Sequence, residues 1–317
     1  MDPEEDRIGR HPLFEHKPSL SLEFSLDRRQ TFPKKVRYLL EYLLFRILLV
    51  PIQMLTLRGI NRLARFLGNV LYHVSPKRRH IARINLDIAF GDAKSPAEKN
   101  RITKQSLIYM MMVPLQCLWI SRHTEQRVYQ LFPNDLEGME HLGHCLERGR
   151  GVFYLMAHYG NWEVLGVLLG YKNFERVYAV TRKLDNPYLE SFLMHLRTHS
   201  GCHIFHKEES PLKMVRALKK NSSVAVMMDQ NGGIGGLFVD FFGKKAATPR
   251  SLAVLSYATG AAVLPLISYP KEDGTYRAAF LPELKLEKTG DKNADIFRWT
   301  QDYQKVLEKV IQEQPEP

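Results

Sequence analysis

The sequence predicts an α/β fold, a central and mostly parallel sheet flanked by helices, preceded by an N-terminal apolar and amphipathic helical membrane anchor. Three observations predict it. From residue 151 onward, buried-strand patterns alternate with helical stretches of about 10–15 residues. Two helix-length segments, one apolar and one amphipathic, occupy residues 36–74. A chain of 317 residues with 44% hydrophobic and 25% charged residues is large enough for one sizeable core plus a small appendage.

Residues 1–32 mix charges with Pro3, Pro12 and Pro18, show no clean period, and read as a poorly ordered polar arm. Residues 33–75 read as the anchor. The stretch VRYLLEYLLFRILLVPIQMLTL (36–57) would make a helix about 33 Å long, enough to cross a hydrocarbon core. Yet it carries Arg37, Glu41 and Arg46, and a charge at the bilayer centre costs about 2.5–3.5 kcal/mol. Pro51 would kink it. The segment is thus either a poor spanning helix or one lying in the interface. The next stretch, GINRLARFLGNVLYHV (59–74), places Ile60, Leu63, Phe66, Leu67, Val70 and Leu71 on one face, with Arg62 and Arg65 off it. Lys34, Lys35, Arg58, Lys77, Arg78 and Arg79 crowd the flanks, where lipid phosphates would sit. The plainer alternative is a pair of core helices.

Residues 76–317 read as the globular domain. Residues 97–131 look helical, with Met110, Met111 and Met112 as core filling. Strands are expected at 151–157, 176–182, 203–205, 223–229, 262–270 and 276–284. Helices are expected at 162–169, 187–200, 211–220 and 249–259. No repeat of 20–50 residues is visible.

The formal net charge of +11 fits an anionic partner: nucleic acid, anionic lipid or an acidic carrier protein. No recognisable nucleic-acid-binding module interleaves aromatics with the cations. Three cysteines with no CxxC argue against a disulfide framework and for a reducing compartment. No zinc spacing or HExxH occurs. The polar, acidic N-terminus is no secretory signal, which places the protein on the cytoplasmic side.

The sharpest local feature is His158-Tyr159-Gly160-Asn161-Trp162-Glu163. About one His-x4-acid match is expected by chance from 12 His and 34 acidic residues, and His203 to Glu208 is a second. Context separates them, because His158 directly follows an apolar strand, where ligands bind in open α/β sheets. Five residues along a helix rotate by about 140°, so only a turn at Gly160-Asn161 brings Glu163 back to the imidazole. A carboxylate on one ring nitrogen would make the other a better base. A structural histidine stays open beside a catalytic one. A second patch, Asp229-Gln230-Asn231-Gly232-Gly233, follows the strand at 223–229 and matches no nucleotide-binding motif. Arg182 ends another strand at the same edge. No GxSxG elbow or catalytic cysteine context exists, which favours direct transfer between two bound substrates.

In order, His158-Tyr-Gly-Asn-Trp-Glu163, Arg182 with Asn186-Pro187, Asp229-Gln230, Phe241-Phe242-Gly243 and Thr248-Pro249 resemble the bacterial lipid A late (secondary) acyltransferases, within the lysophospholipid acyltransferase superfamily. The resemblance runs from about Val36 to Ala262 and implies an inner-membrane O-acyltransferase facing the cytoplasm. Its donor would be acyl carrier protein and its acceptor a hydroxyl of a lipid A precursor, an anionic glycolipid. It further implies His158 as general base, Glu163 orienting it, Arg182 as an oxyanion or phosphate contact, and Asp229 holding the site together. Asn161, Gln230, Lys244, Lys245 and Arg250 complete the set as substrate contacts. No metal or bound cofactor is implied. Phosphatidylinositol mannoside acyltransferases share the motif logic and are the nearest rival. A non-catalytic basic membrane-surface protein is the third reading.

Overall fold

Apolar runs too short for helices and too buried for surface loops form the sheet. The computed structural model describes residues 32–172, 176–206 and 210–317. The arm predicted at residues 1–32, but for Phe32, lies outside them, as does Glu208 of the second His-x4-acid match. The strands are β1 (Val152–Met156), β2 (Val177–Thr181), β3 (His203–His206), β4 (Ser223–Met227), β5 (Leu237–Phe241), β6 (Lys244–Thr248), β7 (Ala262–Pro270) and β8 (Tyr276–Phe280). Six of them make one sheet in the order β3-β2-β4-β1-β7-β8, parallel except for β8. β1 is buried at every position, as the central strand of a sheet covered on both faces must be.

The helices are α1 (Phe32–Met54), α2 (Leu57–Val74), α3 (Pro76–Phe90), α4 (Pro96–Ile120), α5 (Thr124–Leu131), α6 (Met139–Glu147), α7 (Trp162–Lys172), α8 (Pro187–Thr198), α9 (Ser210–Leu218), α10 (Ser251–Thr259) and α11 (Lys292–Glu313). The helical stretch expected at 97–131 is two helices, because His123 adopts a left-handed φ of 54° between them. Ser95 and Glu98 close a reciprocal capping box at the start of α4. Three helices, α3, α6 and α11, and a hairpin were not expected. α3 and α11 carry apolar stripes, Ile81-Ile84-Ile88 and Ile296-Trp299-Tyr303-Leu307-Val310, set among many charged residues. The β5–β6 hairpin turns on Phe242 and Gly243, at φ 48° and 70°. A two-residue hairpin turn of this kind needs positive φ at both positions, and phenylalanine is a poor signal for one.

α2 docks firmly on α4. Ile60, Ala64 and Gly68, spaced four apart, form the buried stripe, and a Cβ on Gly68 would fall 2.5 Å from the Ile108 Cα. Leu63 and Leu67 pack on the same core, so the apolar face predicted as one stripe is divided, leaving Phe66 and Val70 outside. α1 buries only Tyr38 and Leu49. It is tied down by polar contacts, with Arg127 donating to Gln53 O at 2.7 Å and the Asn186 amide donating to Tyr38 O at 3.0 Å. Among the described residues, no helix is long and apolar enough to cross a membrane.

A buried polar network joins these helices to the sheet. The Gln116 amide, on α4, donates to Asn61 Oδ1 (2.9 Å) and Gly274 O (3.1 Å). Its carbonyl oxygen accepts from Asn161 Nδ2 (2.8 Å) and Tyr276 Oη (2.7 Å). Each partner is buried, so losing Gln116 strands polar groups at about 1–3 kcal/mol apiece. Gln116→Met, of similar shape, is therefore expected to lower thermal stability by about 3 kcal/mol or more in detergent solution. A change within about 0.5 kcal/mol, typical of surface substitutions, would show that the network carries no stability.

Candidate active site

β1 and β4 run parallel with Met156 opposite Met227. The pairing continues past the strands, since Met228 N donates to Met156 O at 3.1 Å. Two residues beyond that register step on each chain stand His158 and Asp229. The Asp229 carboxylate takes both donors of His158: the backbone N–H on Oδ2 (2.8 Å) and Nδ1–H on Oδ1 (2.9 Å). This fixes the ring and its tautomer, leaving the Nε2 lone pair as the basic position. Gln230 Nε2 approaches that nitrogen at 3.4 Å, and the Trp162 ring lies edge-on at 4.9 Å between centroids. The His158 pKa is raised from its ordinary 6.5 by the Asp229 hydrogen bond, which outweighs desolvation, with the charges of Asp229 and Glu163 adding to the rise.

Glu163 does not orient the imidazole. It lies in the first turn of α7 and makes a two-point pair with Arg197 of α8, Nε to Oε2 at 3.0 Å and Nη2 to Oε1 at 2.5 Å. The turn at Gly160-Asn161 starts the helix rather than folding it back. The carboxylate on the imidazole is therefore Asp229, and Glu163 joins two helices behind it while adding negative potential.

Asn161 is a correction as well. It is 0% exposed, caps α7 by accepting from Val164 N (3.1 Å) and donates to Gln116, so it builds the loop instead of meeting a substrate. Gly160 makes this possible. At φ 61° it passes so close to β7 that a Cβ would fall 1.8 Å from Ser268 O. Arg182 is exposed just past β2, which β4 separates from β1 by about two strand spacings, roughly 10 Å. Lys245 pairs with Asp240 across the hairpin at 2.9 Å. Arg250 is exposed at the start of α10, and Lys244 lines a groove described below. The loop after Asp229 packs on the end of β6, where Gly232 N donates to Ala247 O at 2.8 Å. A Cβ at Gly232 would come 2.8 Å from Pro249 N, so close backbone approach explains one glycine of that patch.

Sequence reasoning missed Arg197, Gln116 and Gln304. Gln304 of α11 is buried, donates to Met228 O and to Thr248 Oγ1, both at 3.2 Å, and so supports the chain leading into Asp229. A glutamine inside a polar helix gives no signal of its own.

One apolar cavity is lined by the pair, and a larger one adjoins it. The smaller, about 160 Å³, is lined by His158, Asp229, Tyr159 and Phe241. The larger, about 410 Å³, runs between α3, α4 and the hairpin past Leu86, Phe90, Ile102 and Phe242 to Lys244. Phe241, Ile311 and Pro315 line both. The arrangement sets the His158–Asp229 pair in the wall of an apolar cavity. Among the described residues, no cluster of three or more His, Cys, Asp or Glu side chains suits a metal ion.

Comparison with known proteins agrees with that chemistry. A family profile described as bacterial lipid A biosynthesis acyltransferase matches residues 29–317. A lipid A biosynthesis palmitoleoyltransferase of Escherichia coli (strain K12) is 28% identical over 245 residues, covering 76% of each chain. A phosphatidylinositol mannoside acyltransferase of Mycolicibacterium smegmatis is 29% identical over 164 residues, 50% of this chain and 53% of its own. A lipid A biosynthesis acyltransferase of Haemophilus influenzae is 21% identical over 239 residues, 74% of this chain and 73% of its own.

For acyl transfer, the activity named for all three relatives, the pair sets a pH dependence. Only neutral His158 accepts a proton, so kcat/KM falls as pH drops through a pKa held above 6.5. Asp229→Asn removes the contact that raises it, and is expected to move this acid limb to lower pH while cutting the plateau about 100-fold. Glu163→Gln is expected to shift the limb much less. A limb that follows Glu163 and ignores Asp229 would refute the assignment.

Proposed function

The chain belongs to the bacterial lipid A biosynthesis acyltransferase family, and from that premise we propose that it moves a fatty acyl chain from acyl carrier protein to a hydroxyl of a lipid A precursor at the cytoplasmic face of the inner membrane. The observation that carries this reading is the His158–Asp229 pair, which lines an apolar cavity that shares Phe241, Ile311 and Pro315 with a larger apolar groove.

His158 Nε2 takes the proton of the acceptor hydroxyl as its oxygen attacks the thioester carbonyl. The imidazolium formed is held by the Asp229 carboxylate. As the tetrahedral intermediate collapses, the carbon–sulfur bond breaks and the thiolate takes the proton from His158. An ester and a free thiol result, with no charge left on the protein. The acyl tail lies in the groove between α3 and α4, where removal of its methylenes from water contributes about 0.8 kcal/mol each. Exposed Arg182, two strands along the sheet edge from His158, serves the phosphate of the acceptor.

Membrane contact is supported by the outer face of α1. Leu40, Leu43, Leu44, Ile47 and Leu48 are exposed together, more apolar surface than a soluble helix displays. α3 adds the outward stripe Ile81, Ile84 and Ile88 beside Lys77, Arg78 and Arg83. The +11 charge then serves anionic lipid and acidic carrier protein alike. Residues 33–75 act as an interfacial anchor and residues 76–317 as the acyltransferase domain.

Incubation with labelled acyl carrier protein and a lipid A precursor in detergent micelles is expected to give acylated product, and His158→Ala to lower the rate about 100-fold or more. Product on an inositol glycolipid, with none on any lipid A precursor, would replace the acceptor. Equal product from both proteins would end the role of His158. In a separate test, Leu44→Asp with Ile47→Asp is expected to release the protein from anionic vesicles in sedimentation. Unchanged sedimentation would remove α1 from the anchor.

A further inference from the structure

The segment that follows α11 lies across the junction of the two cavities, and its contacts are specific. Tyr159, next to the base, donates its hydroxyl to Gln314 O at 2.7 Å. The Gln314 side chain donates to Pro270 O at 3.0 Å. On the far side, the Glu316 carboxylate, only 14% exposed, accepts from Arg101 Nη2 of α4 at 2.9 Å. Pro315, between these fastenings, lines both the cavity at His158 and the apolar groove.

Phe241, Ile311 and Pro315 are shared by the wall of the His158 cavity and the wall of the groove, so a chain with its carbonyl at His158 and its tail in the groove runs along them. The Phe241 side is fixed by backbone: Phe242 N donates to Glu308 of α11 at 2.5 Å, and the Asp240 backbone exchanges two hydrogen bonds with Gln301. The Pro315 side is held from one residue on either flank. Arg101 precedes Ile102 and Thr103, which line the groove itself, so the ion pair draws the segment onto the groove wall.

We infer that residues 314–316 form a latch, fastened by Arg101 and Glu316, which sets the bore of the passage between the base and the apolar groove and thereby selects the length and shape of the acyl chain. This inference rests on the acyl-transfer reading of the site. An ion pair with an exposed arginine adds little to global stability, so breaking it loosens the passage without unfolding the chain. A fit to one apolar chain discriminates by about tenfold or more per methylene, and loosening the wall erases part of that.

The test uses the full chain in detergent with acyl carrier protein charged with saturated chains from decanoyl to octadecanoyl, comparing wild type, Arg101→Glu, Glu316→Arg and the double variant. The inference predicts a length profile flattened about tenfold in each single variant and restored in the double, which re-forms the pair with its charges exchanged. Single-variant profiles that superimpose on wild type, or a double variant as flat as the singles, would overturn it. The same four proteins are assayed for displacement of a fluorescent fatty acid by fatty acids of the same lengths. If wild type transfers no chain, the acyl-transfer reading fails. The latch then stands only if the displacement ranking changes in the singles and returns in the double, and it falls otherwise.

Discussion

β1 and β4 are paired in parallel, and everything the site can do follows from their register. Met156 opposite Met227 carries through to His158 opposite Asp229, so two residues 71 positions apart meet without a special loop. A slip of one residue would turn either side chain to the other face of the sheet. The register is held on both sides, by β7 beyond β1 and β2 beyond β4. The strand ends are held too, by Gly160 against β7 and by Gln304 under Met228. The imidazole is thus set at the end of the buried strand β1, with Nδ1 held by Asp229.

The two carboxylates near His158 illustrate how environment divides labour. Asp229 is partly open, at 27% side-chain exposure, and spends both oxygens on His158. Glu163 spends both oxygens on Arg197 and joins α7 to α8. A charged pair taken from water on one partner only leaves an uncompensated charge, so Glu163 is fixed by structure as firmly as Asp229 is by the imidazole. The network at Gln116 has a further consequence. Through Asn61 and Asn161 it ties the helix that begins the globular core to the loop that carries His158. α2, α4 and the loop that carries His158 are thereby parts of one hydrogen-bonded arrangement.

Much of this was legible in the sequence because burial writes a clear pattern. The six strands of the main sheet followed from apolar runs, and its mostly parallel character and the edge where His158, Arg182 and Asp229 emerge followed from the alternation of strands and helices, but the antiparallel direction of β8 did not. The choice of carboxylate was not legible, since the family resemblance pointed to Glu163 through a turn at Gly160-Asn161, and only the strand register favours Asp229. Asn161 looked like a ligand because polar groups at a strand end usually face solvent; here Gly160 turns the chain inward and Gln116 receives it. The hairpin stayed hidden behind a phenylalanine at positive φ, whereas the stripe of α11, Ile296-Trp299-Tyr303-Leu307-Val310, was present in the sequence and went unread. The groove between α3 and α4 was invisible, because it is made of residues far apart in sequence whose only shared property is being apolar.

The central claim is that Asp229 holds His158 as the Nδ1–H tautomer with Nε2 free and basic. Nitrogen-15 NMR of ring-labelled histidine, in the detergent-solubilised chain with His158→Gln to assign the resonance, reads this directly. The account predicts that below the alkaline limit the neutral ring carries its proton on Nδ1 and titrates above 6.5. A neutral ring protonated on Nε2, or one titrating at or below 6.5, would contradict it.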